Sequence, residues 1–310
     1  TPLAAHTVFL VLTVLIVGVG IKGGIEKFSK VMMPLLFMIV MAIAIYALTL
    51  PGSQKGVDYL FNPDFSKIDG KAVAAALGQA FFSLSLGFGT ILTYASYVSK
   101  HENMMFQSVA TAVSDLMFAL IAGLAIMPAV FAFGLSPDNG PGLVFETLPR
   151  VFGLMPAGGV IAILFFVALL VAALTSSISL METIVSIFID KFKIKRIPAC
   201  IAVLVISIVL GLVSTLGYGM WAEIKVIGMQ FLDFFDFISN SVIMPIVALI
   251  TCIFIGYVIK PKAVIEEVEY GNTKFSMKKL FVVMIKYIAP VCILLILASS
   301  VLGAFGIISI

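Results

Sequence analysis

The sequence predicts an all-α integral membrane protein. Apolar residues make up 62% of its 310 residues and charged residues only 11%. Soluble domains run at roughly 45–50% and about 25%. The mean hydropathy is +1.20. The apolar residues are also gathered into runs about 20 residues long, the length of helix that crosses a bilayer. No stretch is long and polar enough to form a separate soluble domain, so 1–310 reads as a single transmembrane unit.

Eight such runs are predicted as transmembrane helices: roughly 4–21, 31–50, 71–98, 103–134, 156–189, 197–216, 226–259 and 280–307. Several are longer than a bilayer requires, which predicts tilts, breaks or parts outside the lipid. The long connections are 51–70 and 135–155, where Gly, Pro, Asn and Asp cluster.

Lys and Arg favour cytoplasmic loops. Assigned alternately to the two sides, they divide thirteen to five, the minority being Lys55, Lys67, Lys71, Arg150 and Lys225. Lys286 stands alone near the start of the last helix. The loops after helices 1, 3, 5 and 7 are therefore expected in the cytoplasm, with Thr1 outside the cell membrane. An outside N-terminus fits a fragment whose preceding helices, odd in number, are not in this sequence; a processed N-terminus is the other explanation.

Composition excludes several functions. The net charge is +3 and the basic residues are scattered over short loops, so nucleic acid is not an expected partner. Three cysteines (Cys200, Cys252, Cys292) lie in or beside apolar runs and give neither a disulfide framework nor metal-ligand spacing. The two histidines, His6 and His101, are far apart in sequence. No nucleophile–base pair is visible, so an enzyme is not expected.

The polar residues inside the spans carry the functional reading. In the third span, Ser83-Leu84-Ser85-Leu86-Gly87-Phe88-Gly89 is poor helix material, since each Gly weakens a helix by about 1 kcal/mol relative to Ala. An unwound turn at mid-membrane depth is one reading. Irregular backbone there must be buried or line a wet cavity, and its freed carbonyls can hold ions and charged solutes. A Gly/Ser face for close helix packing is the other.

In the fifth span, Thr175 and Ser176 lie three and four residues after Ala172, so all three can share one face. Two hydroxyls and a carbonyl suit a small hard cation. Hydroxyl bonding back to the preceding turn is the plainer alternative. Asp115 interrupts the fourth span, and a carboxylate there costs on the order of 2.5–3.5 kcal/mol or more. It is expected to face a cavity, a cation or a partner. Glu182 poses the same question and stays open. Asp233 and Asp236 open the seventh span, where the helix dipole alone would favour an acid. Asp190 sits beside Lys191, Lys193, Lys195 and Arg196 as an ordinary interfacial cluster.

Taken together these residues resemble the neurotransmitter:sodium symporter family. The resemblance rests on Gly24-Ile25-Glu26-Lys27-Phe28 before Met33-Pro34, and on Asn62-Pro63-Asp64-Phe65. It continues through Gly78–Gly89, Thr93-Tyr94-Ala95-Ser96-Tyr97, Gly140-Pro141-Gly142-Leu143-Val144-Phe145, Leu174-Thr175-Ser176-Ser177, and Asp233 with Asp236. It runs in order over essentially the whole chain.

The resemblance implies a LeuT-type inverted-repeat transporter fold in which the chain matches family helices 4–11, the first three being missing. Residues 1–50 would be the last two helices of the first repeat, 71–259 the complete second repeat, and 280–307 an additional helix, as in bacterial members without a twelfth. It implies a sodium-coupled symporter of amino acids or related small amines, with Na+ as co-transported ion and no organic cofactor. Phe82, Ser85, Phe88, Ser176 and Leu180 would line the substrate. Ser83 and Asp115 would serve the first sodium site, and Ala172, Thr175 and Ser176 the second. Asp236 would belong to the external gate, and Tyr97 and Asp190 to the cytoplasmic gate.

One departure is informative. Many family members carry Asn where this chain has Asp115, and chloride-dependent members carry Ser one turn later, where this chain has Ala119. A fixed carboxylate can supply the negative charge that chloride supplies elsewhere, so chloride-independent transport is expected. A fragment without the first helices is not expected to transport alone. A proton-coupled transporter of the same fold and a non-cycling membrane sensor are the alternatives.

Overall fold

The computed structural model describes residues 2–99, 102–135, 137, 142–270 and 275–304. Seven helices among them are long and apolar enough to cross a membrane: α1 (Pro2–Val19), α2 (Ile21–Leu48), α6 (Met104–Ala132), α8 (Gly158–Phe192), α9 (Arg196–Gly217), α10 (Phe231–Ile259) and α12 (Lys278–Ala304). The remaining predicted span, 71–98, is broken into α4 (Gly70–Ser83) and α5 (Thr90–Ala95). Three short helices lie in connections: α3 (Gln54–Phe61), α7 (Leu148–Leu154) and α11 (Pro261–Val268).

One predicted boundary moves. The second helix begins at Ile21 rather than near 31, so Lys22, Lys27 and Lys30 ride on its first turns. Long basic side chains can run along a helix to reach water, and Lys30 also pairs with Glu26 at 2.7 Å. The connection left between α1 and α2 is Gly20, at φ +104°, a backbone value open mainly to glycine.

The chain divides into two compact units. One comprises Thr1–Val14, Ile68–Ala112 and Ser179–Ile310; the other comprises Leu15–Lys67 and Val113–Ile178.

In the second unit, the connection 135–155 is not only loop. It carries α7, with a proline in its first turn, where the missing N–H is no loss. Leu148, Val151 and Phe152 of α7 are buried with Ile43, Ala44 and Ala47 of α2 and Ile121, Ala125 and Ala129 of α6. The helix α3 lies hard against α6: a β-carbon on Gly56 would come within 2.5 Å of the Pro128 backbone. Farther along, Leu36, Ala168 and Val171 form a smaller core on which Phe118 and Ala172 pack.

In the first unit, Phe81 of α4 packs with Met244, Ala248 and Cys252 of α10 and Ile293 of α12. Gly211 of α9 makes room for the His6 ring of α1. The α10 and α12 helices each contain π-helical turns, at Phe237–Ile243, Phe254–Ile259 and Met284–Ile288. Such turns leave backbone carbonyls without their usual partners and recur at functional places.

Candidate functional site

Within the first unit the break in the third predicted span is well defined. Residues 84–89 are turn and bend between α4 and α5. Ser85, Gly87 and Gly89 all take positive φ, at 52°, 90° and 77°. The turn closes on itself through Ser85 N–H to the Phe82 carbonyl, 2.9 Å, and Leu86 N–H to the Phe81 carbonyl, 3.1 Å. Gly87 is fixed by contact as well as by φ, since a β-carbon there would stand 2.6 Å from the Met244 carbonyl oxygen. The glycines thus serve an unwound turn and, at Gly87, a close approach.

Phe82 and Phe88 flank the break with ring centroids 5.9 Å apart, edge to face. Phe88 is half-buried against the Phe81–Met244 core while Phe82 stays exposed. Leu180 of α8, in the same unit, is exposed. Ser83 ends α4 and its side chain is accessible.

The short helix α5 is tied to α8 by a series of polar contacts that the sequence reading did not anticipate. Tyr94 and Ser179 share a hydrogen bond at 3.0 Å, and the Thr183 hydroxyl donates to the Ser179 carbonyl at 2.9 Å and lies 3.5 Å from the Thr90 hydroxyl. Below them Tyr97 donates to Glu182 Oε1 at 3.0 Å. Arg196, the first residue of α9, grips both carboxylate oxygens of Glu182. Glu182 is 0% exposed and Arg196 24%. The open question at Glu182 resolves into an ion pair, and Tyr97 joins Glu182 and Arg196. Asp190, its expected companion, is exposed near the end of α8. The missed signal was available: a carboxylate within an apolar run needs a cation, and Arg196 opens the very next helix.

Asp236, the expected external acid, accepts from Asn240 Nδ2 at 2.5 Å on its own helix. Asp233 occupies the first turn of α10, as the dipole favours.

Within the second unit, Thr175 donates its hydroxyl to the Ala172 carbonyl at 2.9 Å. The back-bond expected as an alternative is therefore present. It also places two of the proposed ligand oxygens side by side. Ser176, next along the helix, is exposed. Asp115 is half-buried, eleven residues beyond the first residue of α6, or about 17 Å at 1.5 Å per residue. Among the described residues no group of three or more His, Cys, Asp or Glu could hold a metal. Gly140 and Pro141 of the Gly-Pro-Gly motif lie outside the described residues.

A helical chain with one of its apolar spans interrupted, and with a carboxylate and clustered hydroxyls within other spans, follows the plan of a secondary transporter. The chain belongs to the sodium:neurotransmitter symporter family, whose model matches residues 3–305. This is a family of transporters, not of enzymes. A sodium-dependent transporter of Haemophilus influenzae is 38% identical over 294 residues, and one of Bacillus subtilis 37% identical over 302. These alignments cover 94% and 96% of this chain but 64% and 66% of the relatives, so the chain spans about two thirds of their length. The crystal structure of MhsT in complex with L-phenylalanine superposes with a TM-score of 0.86 at 42% identity, covering 96% of this chain and 68% of that one.

Proposed function

We propose that this chain forms most of a sodium-coupled, alternating-access symporter of amino acids or related small amines in the cell membrane. The interrupted span is the observation that carries the reading. An unwound turn at 84–89 frees backbone groups for a polar solute, and the N-terminal end of α5 points partial positive charge at a substrate carboxylate. Phe82 and Phe88 would hold the side chain, with Ser85 at the turn, and Ser176 and Leu180 would contribute to the substrate site. MhsT was solved with L-phenylalanine, and an apolar amino acid suits an aromatic wall of this kind.

Sodium is the co-transported cargo. Ala172, Thr175 and Ser176 would bind one ion through hard oxygens, and Ser83 with Asp115 would bind the other. Asp115 would supply the fixed negative charge that makes chloride unnecessary. Tyr97, Glu182 and Arg196 would act with Asp190 in the cytoplasmic gate, and Asp236 in the external one. The lysine-rich loops after the first, third, fifth and seventh spans would face the cytoplasm.

The direct test is uptake of radiolabelled amino acids by proteoliposomes holding the protein at its relatives' length. Uptake driven by an inward Na+ gradient without chloride is expected. Uptake driven by a proton gradient without Na+ would favour the proton-coupled alternative instead. Binding without accumulation would favour a sensor. The 310 residues expressed alone are expected to show no Na+-driven uptake, because three oxygens of one helix do not complete a sodium shell.

A further inference from the structure

The ends of α10 and α12 and the short helix α11 border an open cavity of about 610 Å3, all within the first unit. That volume falls in the range of small-molecule sites, about 300–1,000 Å3. Its position matters: it lies where one membrane span finishes at Ile259 and the next begins at Lys278.

The charges around it do not cancel. Four lysines, at 260, 262, 278 and 286, face two glutamates, at 266 and 269. Lys278 is matched by Glu269 at 2.6 Å. The Lys278 ammonium and the Phe275 N–H hold the Glu269 carboxyl below its ordinary range, so that neutralisation persists at physiological pH. Lys262 reaches Glu266 only at 3.7 Å, with both side chains largely exposed. The surplus positive charge sits on Lys260 and Lys286.

Both of these lysines are unusual. Lys260 holds φ +69° and ψ 139°, a backbone region almost confined to glycine, and such outliers gather at ligand-binding places. Lys286 is the one charged residue between Lys279 and the end of the sequence. It is half-buried, and its ammonium lies 5.5 Å from the centre of the Tyr257 ring. Tyr257 in turn donates its hydroxyl to the Lys286 carbonyl at 3.1 Å, a carbonyl within a π-helical turn. Gly256 keeps the helices close, since a β-carbon there would already touch Lys286 Cγ at 3.4 Å. Two π-helical turns therefore carry Tyr257 and Lys286 into the lining of the cavity. Ile265 and Val282 supply apolar wall beside the charges.

We propose that this cavity binds the phosphodiester headgroup of an anionic phospholipid in the adjoining leaflet, between Lys260 and Lys286. Basic pockets between spans at the membrane boundary have the charge and depth for such headgroups. A phosphate oxygen would take the two surplus ammonium groups, and the acyl chains would leave along the apolar wall into the bilayer. The assignment does not depend on ion coupling.

Native mass spectrometry of the purified protein in detergent tests this, with phosphatidylglycerol, phosphatidylcholine and sodium phosphate as separate additions. One phosphatidylglycerol is expected to be retained in preference to phosphatidylcholine. Lys260→Gln with Lys286→Gln should weaken phosphatidylglycerol about thirtyfold, the effect of removing two surface-leaflet charges, and leave phosphatidylcholine unchanged. If the Lys286 variant does not fold, Lys260→Gln with Lys262→Gln, both at exposed positions, should weaken it in the same direction. Lys191→Gln, at the end of α8, should change nothing. Equal retention of the two lipids, undiminished phosphatidylglycerol binding in the lysine variants, or an equal loss in Lys191→Gln would overturn the proposal. Displacement of phosphatidylglycerol by millimolar phosphate would assign the cavity to a soluble anion and overturn the lipid.

Discussion

Glu182 and Arg196 form a two-pronged ion pair across the α8–α9 turn, with the carboxylate fully enclosed and the Tyr97 hydroxyl donating to it. Removing one partner of a buried pair strands the other, at a cost of about 3–5 kcal/mol, whereas an apolar pair of similar volume can be neutral. Arg196 keeps some contact with water, which places the cost near the lower end. Glu182→Ala is therefore expected to lower the thermal stability markedly, and Glu182→Leu with Arg196→Met to recover most of it. A double-mutant cycle read by thermal unfolding in detergent decides. Additive losses in the double variant would mean that the pair is not coupled.

Tyr97→Phe removes one hydrogen bond to a charged group, about 1.5–3 kcal/mol, and leaves the ion pair in place. If the contact helps hold a cytoplasmic gate shut, the variant should open inward. Cysteine labelling from the cytoplasmic side should rise, with thermal stability falling by no more than that one bond. Unchanged labelling would leave the contact a purely structural one.

The interrupted span makes opposite forecasts for two neighbours. Gly87→Ala must fit a β-carbon at φ +90° against the Met244 carbonyl, and a loss of about 1–3 kcal/mol is expected from the backbone conformation alone. Ser85→Gly, at φ +52°, relieves a similar conformation and should be close to neutral in unfolding experiments. A tolerated Gly87→Ala would mean that the turn is not held against α10.

Thr175→Val keeps the shape of the side chain and removes the hydroxyl. Its hydrogen bond to Ala172 stays within one helix, so the fold should survive. Apparent sodium affinity in the full-length protein should fall about tenfold, or 1.4 kcal/mol, and Thr175→Ser should restore most of it. Sodium-titrated substrate binding measures both. An unaltered sodium dependence would remove Thr175 from the ion site.

Asp115→Asn trades a fixed charge for a neutral amide at mid-helix. Uptake by the full-length variant is expected to drop without chloride and to recover at least in part when chloride is added. Uptake that ignores chloride in both forms, at undiminished rate, would show that the carboxylate does not serve the ion.

Much of this was legible from residues 83–89, because two glycines and two serines inside an apolar run conflict with local helix propensity. The chain breaks where that conflict is greatest. The spans were legible for the same local reason, as hydropathy follows from composition over twenty residues. Residues 135–155 were harder. Their Gly, Pro and Asn suggested a loop, yet Leu148, Val151 and Phe152 form a buried helix because α2 and α6 offer an apolar surface. The contacts of Tyr94 with Ser179 and of Tyr97 with Glu182 each bridge 85 positions, and no window along the sequence contains both partners. The π-helical turns at Phe254–Ile259 and Met284–Ile288 leave hydropathy unchanged and were invisible to it.

The hydrogen bond from Thr175 to the Ala172 carbonyl bears on turnover. A cargo site must be left as readily as it is entered. In the proposed ion site the hydroxyl proton would compete with an arriving cation for the same carbonyl oxygen, so departure of the ion would be met at once by a substitute that the helix carries itself. Neither state would then strand a polar group, and the net affinity would be the difference between two satisfied arrangements.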